Sequence, residues 1–448
     1  MKLTKSQTEA LIALKDWVVA KDNQFLCLSG FAGTGKTTLI KYFLDDLDYK
    51  TSFCLSAPTH NAKNVIGTFT GYDNKAFTIQ KLLGLRPQVN IEYFDPNKPE
   101  FSVQADQEIS KYKLCVIDES SMLSTELYNY LINTAKDCNT KLLFVGDELQ
   151  LPPVNELKSL VFIRVPQVRL IEIVRQDSSN PINALVDMAR EDVQKQSSDL
   201  VTYLKEIKHL DVISINKKKE GFHVFEDNNL FFNKLLYEIK EDSLNTKYLA
   251  YTNQNINEWN KAVKSKLHED VTQKFHVDDV IVGYRSIHDF ENNIHIDNST
   301  SYKILALEER VVMFPGSADI TVDLMELLSE YDGRQSILVV KPKSYEDFKA
   351  IYLKQVEAAR HSRRWVNFYA FKNKYLISDD IFHNGHLVIK KDLDLGYGIT
   401  IHKSQGCTYQ NTYINFKNIL KATARDINNQ NRLTYVALSR AKMTNILI

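Results

Sequence analysis

Gly30-Phe31-Ala32-Gly33-Thr34-Gly35-Lys36-Thr37 follows the apolar run Phe25 to Leu28 and precedes the helical pattern Thr38 to Leu47. Glycine, four residues, then Gly-Lys-Thr is the spacing of a phosphate-binding loop. Glycines let consecutive backbone N–H groups curl around phosphate oxygens, Lys36 brings a point charge, and Thr37 brings a hydroxyl for Mg²⁺. The strand before and the helix after supply the context that separates such a loop from a Gly-rich turn. Gly30, Ala32, Gly33, Thr34, Gly35, Lys36, Thr37 and Thr38 are the candidate nucleotide-cradling residues.

Working outward, three further apolar runs end in polar clusters. Phe53 to Ala57 leads into Pro58-Thr59-His60, Leu114 to Ile117 into Asp118-Glu119-Ser120-Ser121, and Lys141 to Val145 into Gly146-Asp147-Glu148-Leu149-Gln150. Short runs of this kind predict buried parallel strands, and α/β sheets hold ligands along the carboxyl ends of such strands. The predicted fold class is α/β, a doubly wound parallel sheet with its chemistry on one rim. Asp118 is placed to hold Mg²⁺ through water, and Glu119 to orient and deprotonate an attacking water. Gln150, on the neighbouring strand end, can reach a terminal phosphate as a neutral sensor of hydrolysis, in a loop stiffened by Pro152-Pro153.

The chain has 448 residues, 44% hydrophobic and 25% charged, room for about three domains of ordinary globular composition. Lys plus Arg equals Asp plus Glu at 56 each, so no global basic field announces a polyanion. Nucleic acid would have to be met by local patches, backbone amides, hydroxyls and aromatic faces. The five cysteines form no Cys-x-x-Cys pair and no Cys/His cluster at zinc spacing, and three lie in strand-like runs as small buried hydrophobes. A reducing, cytoplasmic setting without a structural metal is expected. Neither a signal peptide nor a membrane-length apolar run is present, so no membrane partner is expected.

Residues Thr8 to Ala20 carry a helical stripe of Leu11, Leu14, Trp17 and Val18 with Thr4 as a cap, and Gln7 at its start can donate to and accept from an adenine edge. Arg86 to Ser110 loses helical periodicity and alternates around Asp95-Pro96-Asn97-Lys98-Pro99, which predicts a protruding hairpin. A second α/β set is expected from Val168 onward, through Tyr248 to Asn253, ending with Thr412 to Phe416 and Thr444 to Ile448. Alternation at Tyr302 to Leu305 and Ile337 to Val340 predicts an inserted small β domain between its parts. The expected boundaries are 1–166 with the hairpin 86–110 inserted, 167–270 together with 384–448, and 271–383 for the insertion.

Arg440 follows from periodicity. In a helical segment Arg432 to Lys442, Leu433, Val436 and Ala437 form an apolar stripe with Arg440 on the same face, so its guanidinium needs an anion. Nucleotide phosphates in a cleft between two domains would supply one. Arg175, just after the strand-like Leu170 to Val174, is the second candidate. In Tyr397 to Gly406, alternation turns Ile399 and Ile401 toward a core and Thr400 and His402 toward the cleft, groups suited to a sugar-phosphate backbone.

Gly30 to Thr37, Ala57 to His60, Val116 to Glu119, Gly146 to Pro153, Thr400 to Gly406 and Tyr435 to Lys442 resemble, in order and spacing, the motifs of superfamily 1 helicases, most closely the RecD-like branch of superfamily 1B. The resemblance covers nearly the whole chain, loosely in the inserted β region. It implies two RecA-like domains sandwiching ATP and Mg²⁺, single-stranded DNA crossing both, a pin hairpin, an SH3-like insertion and movement from 5′ to 3′. It implies adenine contact for Gln7, γ-phosphate and Mg²⁺ roles for Lys36, Thr37, Asp118, Glu119 and Gln150, nucleotide contact for Gly406, and arginine fingers for Arg175 and Arg440. DNA contact would fall to Pro58, Thr59, His60, Asn61, Thr78, Thr252, Asn253, Thr400, His402, Lys403 and Ser404, and to Phe101 and Phe94 on the pin. Stacking on one ring is worth about 1–3 kcal/mol per base against roughly 1.4 kcal/mol per base-pair step, so one pin aromatic can offset one step. Gln80 departs from the pattern, since relatives often carry histidine there.

The function implied is an ATP-dependent DNA helicase that unwinds forked duplex, as a monomer, in the host cytoplasm if phage-encoded, alongside replication or recombination proteins. Two alternatives stay open: a translocase that strips proteins from single-stranded DNA, and a non-catalytic ATP-switched clamp or loader.

Overall fold

The computed structural model describes residues 3–48, 50–88, 100–103, 106–174, 179–207, 212–288, 294–298, 300–329 and 333–447. Its first helix, Lys5–Val19, starts from a reciprocal cap: the Thr4 side chain accepts from the Gln7 amide, and the Gln7 side chain accepts from the Thr4 amide. Ala10, Leu14 and Trp17 on this helix pack against the first sheet.

That sheet has six parallel strands in the order Ala76–Thr78, Phe53–Ala57, Leu114–Ile117, Lys141–Gly146, Phe25–Gly30 and Gln167–Leu170. Neighbouring residues of its apolar runs serve opposite faces. Cys27, Cys115, Leu142 and Phe144 join one core, while Leu28, Val116, Leu143 and Val145 join the other. The strand Gln167–Leu170 corrects the expected boundary at 166. It lies beside Phe25–Gly30 with Val168 opposite Leu28, so it closes the first sheet and does not open a second, and it stops short of Val174.

The second sheet runs Gly398–Thr400, Thr246–Ala250, Tyr409–Ile414, Ala441–Leu447, Gly221–Val224 and Ile213–Ile215, parallel except for its last pair. Helices Ile182–Lys195 and Ile427–Leu438 cover one face, and Asn228–Glu241 and Asn253–Leu267 the other.

A third sheet orders Tyr375–Leu376, Gly333–Val340, Ile320–Ser329, Ser301–Val312, Val280–Gly283 and Leu393–Leu395, antiparallel apart from the Tyr375–Leu376 pairing. Helices Tyr345–Ser362 and Trp365–Lys374 pack on it through Phe348, Ile351, Tyr352 and Phe368. The region expected as a small β insertion is therefore mixed, and its edge strand lies beyond the expected end at 383. The helical stripe Phe348, Ile351, Tyr352, Val356 and Ala359 carried that signal in the sequence. Leu85–Gln88 and Glu100–Val103 pair antiparallel with Pro87 opposite Phe101, the base of the expected hairpin. Its tip, with Phe94, lies outside the described residues. Among the described residues no helix is long and apolar enough to cross a membrane.

Candidate nucleotide site and inter-sheet cleft

The strand Phe25–Gly30 delivers the phosphate loop, and the helix Lys36–Asp45 begins on Lys36 with Gly35 as its N-cap at φ 77°. That left-handed backbone favours glycine, and a Cβ there would meet the Gln7 side-chain nitrogen at 2.5 Å and push it aside. The cap residue offers no side-chain acceptor, which leaves the helix's first N–H groups and its positive end facing the loop. Lys36 Nζ donates to the Gly30 and Phe31 carbonyls at 2.8 and 3.0 Å, folded over the same loop. Thr34 is buried, bonded to the Phe31 carbonyl, and Thr37 and Thr38 open the helix half-buried. Gln7 Nε2 donates to the Thr34 carbonyl at 3.0 Å, so its amide touches the loop at one end and caps its own helix at the other.

Asp118 and Glu119 leave the end of Leu114–Ile117. Glu119 is held in left-handed backbone at φ 49°, and its amide donates to Asp118 Oδ1 at 2.9 Å. Burial, reinforced by the Glu119 charge, pushes the Asp118 carboxyl up to about 7. Burial also raises Glu119, while Arg440 and Lys36 pull it down. Hard oxygen donors crowded together at the mouth of a phosphate loop fit Mg²⁺, which would restore the ionised carboxylate.

Gln150 is buried, and its Oε1 has no hydrogen-bond partner among the described residues, as suits an amide meant for a ligand. Its loop is held from the second sheet's side. Arg432 Nη1 donates to the Glu148 and Gln150 carbonyls at 2.8 and 2.7 Å, and Gln405 Nε2 donates to Ser121 Oγ and the Leu151 carbonyl at 3.2 and 3.3 Å. Arg440 lies in the same cleft for a reason other than the expected one. The helix ends at Leu438, so Arg440 belongs to the turn before Ala441–Leu447 and not to a helix face. It is only 6% exposed and donates to the Val436 and Cys407 carbonyls at 3.0 and 3.2 Å. Arg175 and the side chain of Phe101 lie outside the described residues.

The threonines expected to meet DNA share one geometry. Thr59, Thr78 and Thr252 each cap a helix directly after a strand, accepting from the amides of Ala62, Lys81 and Asn255. Thr400, at the end of Gly398–Thr400, accepts from the Lys403 amide in the same manner. Two of these strand ends are adjacent at one edge of the first sheet, and two are adjacent at one edge of the second. Pro58 precedes Thr59 half-buried, and Asn253 is exposed beside Thr252.

The other expected contacts divide. His60 Nδ1 lies 3.2 Å from the buried Asp297 of the third-sheet region. Asn61 is buried and donates to Cys407 Sγ. The alternation expected over 397–406 stops at Thr400, beyond which the chain turns. In that turn burial lowers the His402 pKa, Ser404 is fully buried and bonded to the Ile401 carbonyl, and Gly406, at φ 76°, packs on Ala62 and near Glu119. Lys403 Nζ sits 3.4 Å over the Tyr284 ring, and burial brings it down to about 7.

A family model described as an AAA domain matches residues 2–211. An uncharacterised mimivirus protein is 26% identical, with 93% of this chain and 94% of that protein aligned. The ATP-dependent DNA helicase dda of phage T4 is 29% identical over 36% of this chain and 35% of its own length. A Bacteroides Pif1 helicase, solved with ADP-AlF3 and single-stranded DNA, superposes with a TM-score of 0.53 at 15% identity over all of this chain and 92% of its own. At that identity the superposition shows the fold, two RecA-like parallel sheets with further sheets attached.

The chain is similar to superfamily 1B helicases: Dda and RecD2 match about a third of it, and a Campylobacter Pif1 helicase matches 96% of it at 24% identity.

The phosphate loop, with its strand before and helix after, lies inside the stretch that matches the AAA domain, as a P-loop ATPase requires. Several residues that organise its cleft escape a reading of the sequence. Tyr435 and Asp147 bond across the cleft, Arg432 clamps the Gln150 loop, and Asp297 faces His60. Tyr435 and Arg432 stand inside an apolar helical stripe, where polar groups on a buried helix are the one available signal.

Proposed function

We propose that the chain couples ATP hydrolysis to 5′-to-3′ movement on single-stranded DNA and so unwinds duplex at a fork. Lys36, Thr37 and Asp118 hold the Mg²⁺ nucleotide, the phosphates lying against the loop residues Gly30, Ala32, Gly33, Thr34, Gly35 and Thr38. Glu119 activates water, Gln150 reads the terminal phosphate, Arg440 meets the developing charge from the second sheet's side, and Arg175 is the second arginine finger. Gln7 and Gly406 border the base and phosphates. Residues 86–110 form the pin, with Phe101 and Phe94 as its stacking residues.

The observation that carries the reading is the matched pair of threonine-capped strand ends on the two sheets. Each offers a hydroxyl hydrogen, and at Thr59, Thr78 and Thr252 a helix N-terminus as well, which is what a phosphate takes up without regard to sequence. A strand bound by Thr59, His60, Thr78, Thr252, Asn253, Thr400, His402, Lys403 and Ser404 would be gripped by both sheets, while nucleotide binds at neighbouring strand ends. Closing the cleft over ATP then shortens the distance between the two grips, which is a step. Dda is named as an ATP-dependent DNA helicase, and the Bacteroides Pif1 was solved with single-stranded DNA, both in keeping with this.

The test is unwinding of forked duplexes carrying either a 5′ or a 3′ tail under single-turnover conditions. Unwinding of the 5′-tailed substrate alone is expected. Unwinding from the 3′ tail alone contradicts the polarity, and ATP turnover with no unwinding of either favours the protein-stripping translocase.

A further inference from the structure

The residues from His268 to Asp279 join the helix Asn253–Leu267, which covers the second sheet, to the strand Val280–Gly283 of the third. His268, at the helix C-cap, places Nε2 2.5 Å from Asp279 Oδ1. The His276 ring stacks on it with centroids 4.1 Å apart and planes 10° from parallel, and its Nδ1 lies 3.8 Å from Asp279 Oδ2. One ligand atom from each of the three residues falls within 4.8 Å of the others, the single such group of histidine, cysteine and carboxylate side chains among the described residues.

Two features here lack a partner of the right charge or kind. Asp279 is fully buried, yet the Tyr397 hydroxyl and the His276 amide that bond it are neutral, and Lys264, near enough to feel its charge, is bonded to the Gln273 carbonyl. Both His276 ring nitrogens are closed off from solvent with no hydrogen-bond partner among the described residues, although a neutral imidazole always presents one donor and one acceptor. A proton on His268 would serve Asp279 and leave His276 unmet. A cation among the three serves both.

We propose that His268, His276 and Asp279 bind one divalent metal ion of the zinc class, with water completing the coordination, and that the ion pins the second sheet's helix to the root of the third sheet. Two imidazoles and a carboxylate suit Zn²⁺, whereas Mg²⁺ selects oxygen. Bond lengths of about 2.0–2.2 Å bring donor atoms to about 3.3 Å from one another, so the two rings splay from their stack and close on the ion. Tyr397, where the chain returns to the second sheet, steadies the carboxylate from outside. A search for cysteine-bearing zinc spacing passes over this site, whose signature is His-x7-His-x2-Asp between a helix end and a strand start.

The full chain, stripped with chelator, is titrated with ZnCl₂ alone, with MgCl₂ as the contrast. One zinc per chain and a raised thermal midpoint are expected, both lost in His268→Gln and in His276→Gln and both kept in Asp118→Asn, with no such rise from Mg²⁺ in Asp118→Asn. Cobalt(II) substituted into the wild-type chain should show the strong visible absorption of low-coordinate geometry, a readout that needs no variant to fold. No zinc bound by the wild-type chain, or the same stoichiometry in both histidine variants, overturns the proposal.

Discussion

Tyr435 donates its hydroxyl hydrogen to Asp147 Oδ2 at 2.7 Å, and the Ala32 amide of the phosphate loop donates to both of these oxygens, at 2.9 and 3.0 Å. Asp147 follows a strand of the first sheet and Tyr435 lies on a helix of the second, so the loop that cradles nucleotide is bonded to both halves of the cleft. Tyr435→Phe removes the oxygen and keeps the buried ring. A hydrogen bond to a charged group is worth about 1.5–3 kcal/mol, and DNA-stimulated turnover is expected to fall about tenfold or more while the circular dichroism spectrum stays as in the wild type. Turnover equal to wild type would show that this bond plays no part in the working cleft.

Arg440 reaches the Cys407 carbonyl and acts electrostatically on Glu119, which places it opposite the phosphate loop. Arg440→Ala should leave ATP binding nearly intact and cut hydrolysis by about 10³ to 10⁵. Nucleotide affinity measured by fluorescence and turnover measured by phosphate release separate the two. Equal loss of both would make Arg440 a binding residue only.

The Asp118 carboxyl, raised from 3.8 to about 7, holds a proton below that pH, and Mg²⁺ must displace it. Mg²⁺ affinity is therefore expected to decline as pH falls from 7 toward 5, by about tenfold per unit for one displaced proton, and to be flat above 8. The linked effect on stability has the opposite sense. A carboxyl whose folded pKa is raised favours the fold most below its unfolded value, and that contribution is lost as pH rises through about 7. Asp118→Asn should abolish both trends in a calorimetric Mg²⁺ titration and in a pH series of melting curves.

Lys403, lowered to about 7 by burial with Lys391 and Lys390 adding to the effect, must be protonated to pair with a phosphate. Binding of a short single strand should take up a proton and weaken as pH rises from 7 to 9, by anisotropy at fixed salt. Lys403→Gln should bind more weakly and lose the pH dependence. A wild-type curve flat across that range would place Lys403 off the DNA.

The first sheet was legible because its strands are buried on both faces and write themselves as unbroken apolar runs ending in polar clusters, as at Val116-Ile117-Asp118. The strand Gln167–Leu170 was not, because it pairs with Phe25–Gly30 across some 140 intervening residues and its half-exposed pattern says nothing of which sheet it joins. The helices over the third sheet were hidden by the β-rich stretch around them. Arg440 was found from a periodicity that the chain does not keep, since the turn after Leu438 carries it into the cleft. Contacts between the halves, such as Tyr435 with Asp147 at a separation of 288 residues, leave no local trace at all.

The most direct test of the account is steady-state ATP turnover measured against rising concentrations of single-stranded DNA, in the wild-type chain and in Lys36→Ala. A wild-type rate that climbs by orders of magnitude with DNA, beside a variant that stays silent, is the result predicted for a cleft that hydrolyses ATP when both sheets grip one strand. A wild-type rate indifferent to DNA would contradict it.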